Sequence, residues 1–183
     1  MHKRWAVLLF VAALLLPITS IARPARPRVD VGTLEKQIHQ LINAERQKAG
    51  LTPLAWSGEL GSIAREHSRD MADRNYFSHY SPEGEGPLER YKKAGFSCQV
   101  RVGFRIYEGG ENIFQNNLYS SVMYINGVPH YNWNSLEEIA RSTVKGWMGS
   151  PGHRRNILEP VFKSEGIGVF IKNGEVFITE DFC

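Results

Sequence analysis

Ile167-Gly168-Val169-Phe170-Ile171-Lys172-Asn173-Gly174-Glu175-Val176-Phe177-Ile178 is the stretch whose reading decides the fold. Ile167, Val169 and Ile171 alternate up to Asn173-Gly174, and Val176, Ile178 and Phe182 resume the alternation beyond it. Asn-Gly tolerates left-handed backbone at both central positions of a tight hairpin turn, so two antiparallel strands follow. Upstream, the long periodic segments are helical in spacing. Helices ahead of a late antiparallel hairpin make an α+β chain rather than a wound parallel sheet.

Leu34, Ile38, Leu41, Ile42 and Ala49 predict a first helix stopped at Gly50. Leu60, Ile63, Ala64, His67 and Met71 share a second stripe behind Ser57, a suitable N-cap. A short third helix starts at Pro87, carries Leu88 and Tyr91, and ends at Gly95. Ser135 with Glu138 reads as a capping box ahead of Leu136, Ile139, Ala140, Thr143, Val144 and Trp147. Cys98, Val100, Val102, Phe104 and Ile106 alternate with polar residues and predict one half-buried strand beginning at Cys98. Asn126-Gly127 lies between Val122-Met123-Tyr124-Ile125 and Val128, and Pro129 confines that pair to an edge or a protruding flap.

The N-terminus reads as an export signal. His2, Lys3 and Arg4 precede the apolar run Trp5–Leu16, Pro17 breaks it, and Ser20-Ile21-Ala22 offers small residues for cleavage. The run is short for a permanent span, which needs about 20 residues; an uncleaved anchor is the alternative. We therefore expect residues 1–22 to be a signal peptide, 23–32 an Arg/Pro-rich leader, and 33–183 one domain, secreted or periplasmic and without a permanent membrane span. The leader Arg23-Pro24-Ala25-Arg26-Pro27-Arg28 is a solvated spacer or a tether to an anionic surface. The 22 basic residues less Lys3 and Arg4, against 19 acidic ones, leave a net charge of +1. That gives no support to nucleic-acid binding. Two cysteines, Cys98 and Cys183, suggest one disulfide in an exported chain; two unpaired thiols are the alternative. The chain-entropy model assigns so long a loop about 4 to 5 kcal/mol as an upper figure.

Three short segments carry the polar chemistry: Ser78-His79-Tyr80-Ser81-Pro82, Gly110-Glu111-Asn112-Ile113 and Ser150-Pro151-Gly152-His153-Arg154. Each sets a His or Glu beside turn-forming residues, which lets distant side chains converge. Gly109 and Gly110 suggest an unusual turn before Glu111, and Asn112 is suited to satisfying loop amides. Ser150 as N-cap and Pro151 as first helical residue put His153 in the first turn of a short helix through Leu158. There the helix dipole opposes protonation. Two imidazoles and one carboxylate suit a divalent cation, proton transfer or a polar ligand pocket; alternatively they form a buried hydrogen-bonded knot that pins loops to the core. His67, on an apolar stripe, reads as a satisfied core histidine, and His39 and His130 as surface residues. His130 reaches the site only if the 122–131 hairpin folds over it. Trp56, Trp133, Trp147, Phe162 and Phe182 read as core or rim packing. No serine elbow, P-loop or dinucleotide fingerprint is present.

Ala64-x-x-His67-Ser68-x-Asp70-Met71-Ala72, Phe77-Ser78-His79-x-Ser81-Pro82, Gly110-Glu111-Asn112-Ile113, Trp147-Met148-x-Ser150-Pro151-Gly152-His153-Arg154-x-Asn156-Ile157-Leu158 and Gly166-Ile167-Gly168-Val169 occur in that order. Together they resemble the bacterial branch of the CAP superfamily (cysteine-rich secretory proteins, antigen 5 and pathogenesis-related proteins), or SCP domain, from about Leu34 to Phe182. The resemblance implies an α-β-α sandwich with a central, mainly antiparallel sheet between helical layers. It also implies a cavity of two histidines and two acids that binds a divalent cation in some members. His79, Glu111 and His153 carry over. The second glutamate of eukaryotic relatives falls at Ser150, counted from Trp147, so the site is a triad. The stretch 116–134 is longer than the family's usual link and reads as an added hairpin over the cavity.

From these residues we expect a non-enzymatic module that binds an extracellular ligand or protein at a cavity formed by His79, Glu111, His153, Ser150 and Asn112. The alternatives are a zinc-dependent hydrolase, with His79 and His153 on the metal and Glu111 as ligand or general base, and a lipid or sterol carrier. Zinc or another divalent cation held by His79, Glu111 and His153 is the one cofactor this reading admits.

Overall fold

The computed structural model describes residues 26–183. The apolar run, the cleavage site and the leader's first residues lie outside the described residues. Helix α1 (Val31–Lys48) opens on Asp30, whose carboxylate accepts from the Thr33 amide and hydroxyl. Val29 and Val31 pack on the main core. β1 (Ala55–Trp56) follows, and α2 (Gly58–Arg74) starts on the Ser57 cap and stops at Asn75 in left-handed conformation. The short α3 (Pro87–Lys93) has proline at its first position, as its sequence predicts.

The predicted single strand from Cys98 to Ile106 is instead two strands, β2 (Val100–Val102) and β3 (Arg105–Tyr107), paired antiparallel. Gly103 (φ +60°) turns the chain back between them. The alternation runs unbroken through that glycine, so period alone hid the turn. Strand β4 (Gly110–Asn117) then leads into β5 (Tyr119–Ile125) and β6 (Val128–Trp133), a separate two-stranded sheet turned at Asn126-Gly127. Pro129 sits opposite Tyr124 in that pair, where its missing N–H costs no central ladder. This hairpin leaves the Asn117 end of β4, about 20 Å along the strand from Glu111. Its strands β5 and β6 pair with each other, with His130 opposite Met123.

Helix α4 (Leu136–Gly149) carries the predicted capping box between Ser135 and Glu138. α5 (Pro151–Ile157) follows at once, with Ser150 as N-cap residue but without a side-chain capping bond. β7 (Ser164–Lys172) and β8 (Glu175–Phe182) form the terminal hairpin about Asn173-Gly174. The main sheet runs β1-β7-β8-β4, with only the β1–β7 pair parallel.

Alternation along β7 sorts the layers. Ile167, Val169 and Ile171 face α1 and α4 in the main core. Gly166 and Gly168 face α2, and a Cβ on either would lie about 2 Å from the α2 backbone, 2.0 Å from Gly61 N and 1.9 Å from Arg65 N. Only glycine lets α2 rest directly on the sheet. The result is an α-β-α sandwich, with α1, α4 and α5 on one face of a mainly antiparallel sheet and α2 on the other. Cys98 and Cys183 are disulfide-bonded, Cα atoms 5.5 Å apart, tying the approach to β2 to the end of β8.

Candidate functional site

Glu111 is the second residue of β4 and pairs with Asp181 of β8 rather than lying in a loop. The unusual turn comes just before it. Gly109 has φ +105°, and a Cβ there would stand 2.8 Å from the Phe182 carbonyl and from the Tyr91 ring. Since neighbouring strand residues point to opposite faces, Glu111 faces α2 and α3 while Asn112 faces α5. This one-residue alternation organises the whole site.

On the first face, Glu111 is 6 % exposed and both its oxygens are engaged. His79, in the loop after α2, places Nδ1 2.7 Å from Oε1. The Arg90 guanidinium of α3 donates to Oε2. Arg90 also donates to the carbonyls of His79 and Glu85, at 3.1 and 3.2 Å, so one guanidinium fixes both the acid and the loop carrying its imidazole. His67 lies 4.0 Å from Oε1, with Nε2 3.1 Å from the Ser78 carbonyl, as suits a buried, satisfied histidine. Burial pushes the His67 imidazole below its ordinary pKa, with the Glu111 carboxylate opposing. Tyr91 Oη donates to Asp181 Oδ1 at 3.0 Å; burial raises both groups, and Glu111 further raises Asp181.

On the second face, Asn112 is fully buried. Its Nδ2 donates to the His153 carbonyl (3.2 Å) and to Glu180 Oε2 (3.0 Å), and its Oδ1 accepts from Asn156 Nδ2 (2.9 Å). Asn156 also donates to the Glu111 carbonyl. Asn112 thus clamps α5 to the sheet instead of satisfying loop amides. His153, in the first turn of α5, has its ring centroid 6.3 Å from that of His79. Its pKa is lowered by burial and then by the His79 charge. Ser150 ends α4 and begins α5, its amide bonded to the Trp147 carbonyl.

His79, Glu111 and His153 therefore converge, and the arrangement has a direction. Glu111 is held from behind by Arg90 and orients His79 from Nδ1. A carboxylate only accepts, so Glu111 Oε1 takes its hydrogen bond from His79 Nδ1–H, and Nε2 is the ring nitrogen left facing away from Glu111. His79's side chain is 40 % exposed, so that edge is open to solvent.

As a metal centre the donor set does not fit as arranged. Among the described residues no group of three or more His, Cys, Asp or Glu side chains is placed to hold an ion. Glu111 is committed to Arg90 and His79, leaving two imidazoles where a zinc site normally takes three or four protein ligands.

His67 and Arg90 also line a cleft of about 610 Å³ between α2 and α3. Its lining includes Glu59, Glu66, Asp70 and Glu85, with Arg74 paired to Asp70 and Lys93 to Glu85. His79 and His153 do not line it, so the Glu111 cluster stands between this cleft and the imidazole edge.

Sequence reasoning missed Arg90, Tyr91 with Asp181, and a second polar knot. His39, read as a surface residue, is half-buried: its Nδ1 is 2.5 Å from Glu165 Oε1 and its ring meets Trp56 edge-on. Glu165 and Glu180 are completely buried. A signal for both existed, since Glu165 is in phase with Ile167 and Val169, and Glu180 with Ile178 and Phe182, on the apolar face of each strand. For Arg90 there was none: it is one of three basic residues on a short helix.

No described helix is long and apolar enough to cross a membrane. The family model described as cysteine-rich secretory protein family, CAP, matches residues 39–181. The uncharacterized protein YkwD of Bacillus subtilis is 36 % identical over 152 residues, covering 83 % of this chain and 48 % of YkwD. An extracellular protein containing an SCP domain from Bacillus anthracis superposes with TM-score 0.62 at 28 % identity, over 85 % of this chain and 44 % of that one. An outer surface protein from Borrelia burgdorferi superposes with TM-score 0.62 at 15 % identity, over 84 % of this chain and 94 % of that one, a likeness of fold alone. This chain spans about half the length of YkwD and of the Bacillus anthracis protein. With the fold, the ordered motifs and the family match in agreement, the chain belongs to the cysteine-rich secretory protein (CAP) family.

Proposed function

We propose that this chain is an exported, non-enzymatic binding module that takes its ligand or partner at the open edge formed by His79 Nε2 and His153. The observation that carries the reading is the engagement of both Glu111 oxygens. A carboxylate bonded to Arg90 and His79 is a poor general base and a poor metal ligand, but a good device for fixing an imidazole. An imidazole oriented from Nδ1 with its outer nitrogen unprotonated suits a ligand bearing hydroxyl or amide donors. No nucleophile accompanies them: Ser78 Oγ accepts from the Tyr80 amide, and Ser150 occupies the α4–α5 junction. Export is supported by the apolar run Trp5–Leu16 and the small residues after it.

Hydrolysis of a generic protein substrate such as casein tests the non-enzymatic reading. Wild type and the double variant His79→Ala/His153→Ala, each with and without added zinc, should show the same background rate. A zinc-dependent rate lost in the double variant would establish the hydrolase reading instead.

One observation favours lipid as a second reading. A groove of about 570 Å³ between α1 and α4 is lined by Leu41, Val144 and Met148, with Glu45, Lys48, Arg141 and Lys145 at its edge. Glu45 pairs with Lys48 and Glu137 with Arg141, so Lys145 is the cation for the carboxylate of a long-chain fatty acid lying on the apolar floor. Displacement of a fluorescent fatty acid from wild type, and its failure to bind Val144→Asp, is the expected result. Equal binding by both proteins would dismiss this groove.

A further inference from the structure

The β2–β3 hairpin has a root that is packed and a tip that touches nothing. At the root, Cys98 is bonded to Cys183, and Cys98 and Val100 pack with Leu60, Ile63 and Tyr91. At the tip, Phe104 is 107 % exposed, as open as a residue in an isolated peptide, and Val102 and Ile106 are each about half exposed, 49 % and 48 %. Leaving three large apolar side chains in water on a covalently stapled hairpin serves no purpose in the fold. Arg101 and Arg105 flank the turn, are exposed, and make no ion pair among the described residues.

We propose that this hairpin is a docking element for an anionic phospholipid bilayer, with Phe104 and its apolar neighbours entering the interface and Arg101 and Arg105 meeting the headgroups. Three features select this occupant. The narrow tip presents too little surface for a specific protein interface, which buries on the order of 1,000 Å² or more, whereas a bilayer accepts a wedge of this size. The charge is complementary: unpaired arginines beside an apolar tip combine insertion with attraction to anionic lipid. Arginine can extend its charged head to the headgroups while its stem lies along apolar surface. The other exposed hairpin supplies a contrast. β5–β6 presents Met123, Tyr124 and Ile125, but residues 116–134 contain no Lys, Arg, Asp or Glu and so lack the electrostatic half of this pairing. Since β3 leads through Gly109 into β4, docking would also hold the Glu111 end of the sheet near the membrane.

Vesicle co-sedimentation tests the proposal, using the chain from Arg26 onward, which carries every described element of the fold and excludes the N-terminal apolar run. The probes are vesicles of phosphatidylglycerol with phosphatidylcholine in equal parts, and of phosphatidylcholine alone. Wild type should pellet with the anionic vesicles and release as salt rises. Phe104→Asp and Arg101→Gln/Arg105→Gln should each reduce partitioning about tenfold, with melting temperatures unchanged because the three substituted side chains are exposed. Wild type remaining in the supernatant with both vesicle types would overturn the proposal. So would partitioning that ignores both the tip substitutions and the lipid charge.

Discussion

Glu111 on β4 and Glu180 on β8 are nearly sealed from water on neighbouring strands, yet their partners are opposite in kind. Glu111 has a guanidinium and an imidazole. Glu180 has another carboxyl, Glu165, and an amide from Asn112. The nearest buried cation, Arg46, directs its N–H groups to the carbonyls of Thr52, Ile157, Glu159 and Phe162 instead. Glu165 Oε2 and Glu180 Oε1 have no protein donor, and the two buried carboxyl groups lie against each other. Two like charges so close in a dry site are relieved when one carboxyl keeps its proton. Burial accordingly raises Glu165 to about 7 and Glu180 well above its ordinary value. The cation decides which buried acid serves a site: with one, the acid orients an imidazole; without one, a proton takes the cation's place and the acid becomes a structural, pH-sensitive joint.

The largest expected effect breaks the first member of the comparison. Arg90→Met leaves Glu111 buried without its cation and should cost about 3–5 kcal/mol in denaturant unfolding. Glu165→Gln, which removes the need for a shared proton, should be neutral or stabilising at pH 8. If the two substitutions cost the same, the contrast between the sites is false.

Next comes pH. The folded-state pKa of Glu165 lies above the unfolded value, so the folded protein binds more protons between them. The stability from this pair is complete below about pH 4.5 and is lost as pH rises through about 7. Its upper size is on the order of 3 kcal/mol, from a change of about 2.5 pH units. His67 and His153 act in the opposite sense: their lowered values remove stability as pH falls below about 6.5. Wild type minus Glu165→Gln, measured by urea unfolding from pH 4 to 8, reads the carboxyl pair together with His39, which touches Glu165 and whose own value is lowered by burial. A flat difference would refute the shared proton.

Asn112→Ala touches both regions, because this side chain joins Glu180 to α5 and, through Asn156, reaches the Glu111 backbone. It should cost about 1–3 kcal/mol and shift the His153 resonances, which a purely local loss would not do. The smallest effect sharpens the role of burial. Arg74 and Glu83 pair as closely as Arg90 and Glu111 but at the surface, and hold Glu83 at about 2. Glu83→Gln should leave the melting temperature unchanged within error, since exposed pairs contribute little.

Four helices and the terminal hairpin were legible in the sequence because their signals are local. Ser57 and Ser135 cap, Pro87 starts, and Asn173-Gly174 turns, each within a few residues of the element it defines. Gly103 shows where local reading stops: an alternating pattern fits one strand or two, and only tertiary contacts choose. In the site, His79, Glu111 and His153 stood out because turn residues flank them. Arg90 did not, because its role depends on where α3 lands relative to β4, which no spacing encodes. Glu165 and Glu180 were legible in principle as acids on an apolar phase, and His39 became interior only because Glu165 lies beneath α1 on the same face of the sheet.

The open imidazole edge exists only if Arg90 holds Glu111 so that it accepts from His79 Nδ1–H and leaves Nε2 free. Imidazole ¹⁵N spectra of His79, assigned with a His79→Gln variant and recorded at pH 8 with and without zinc, read this directly. The Nδ1–H tautomer with a bare Nε2, little changed by equimolar zinc, is the predicted result. An Nε2–H tautomer, or tight zinc binding that shifts His79 and His153 together and is lost in Glu111→Gln, would contradict it.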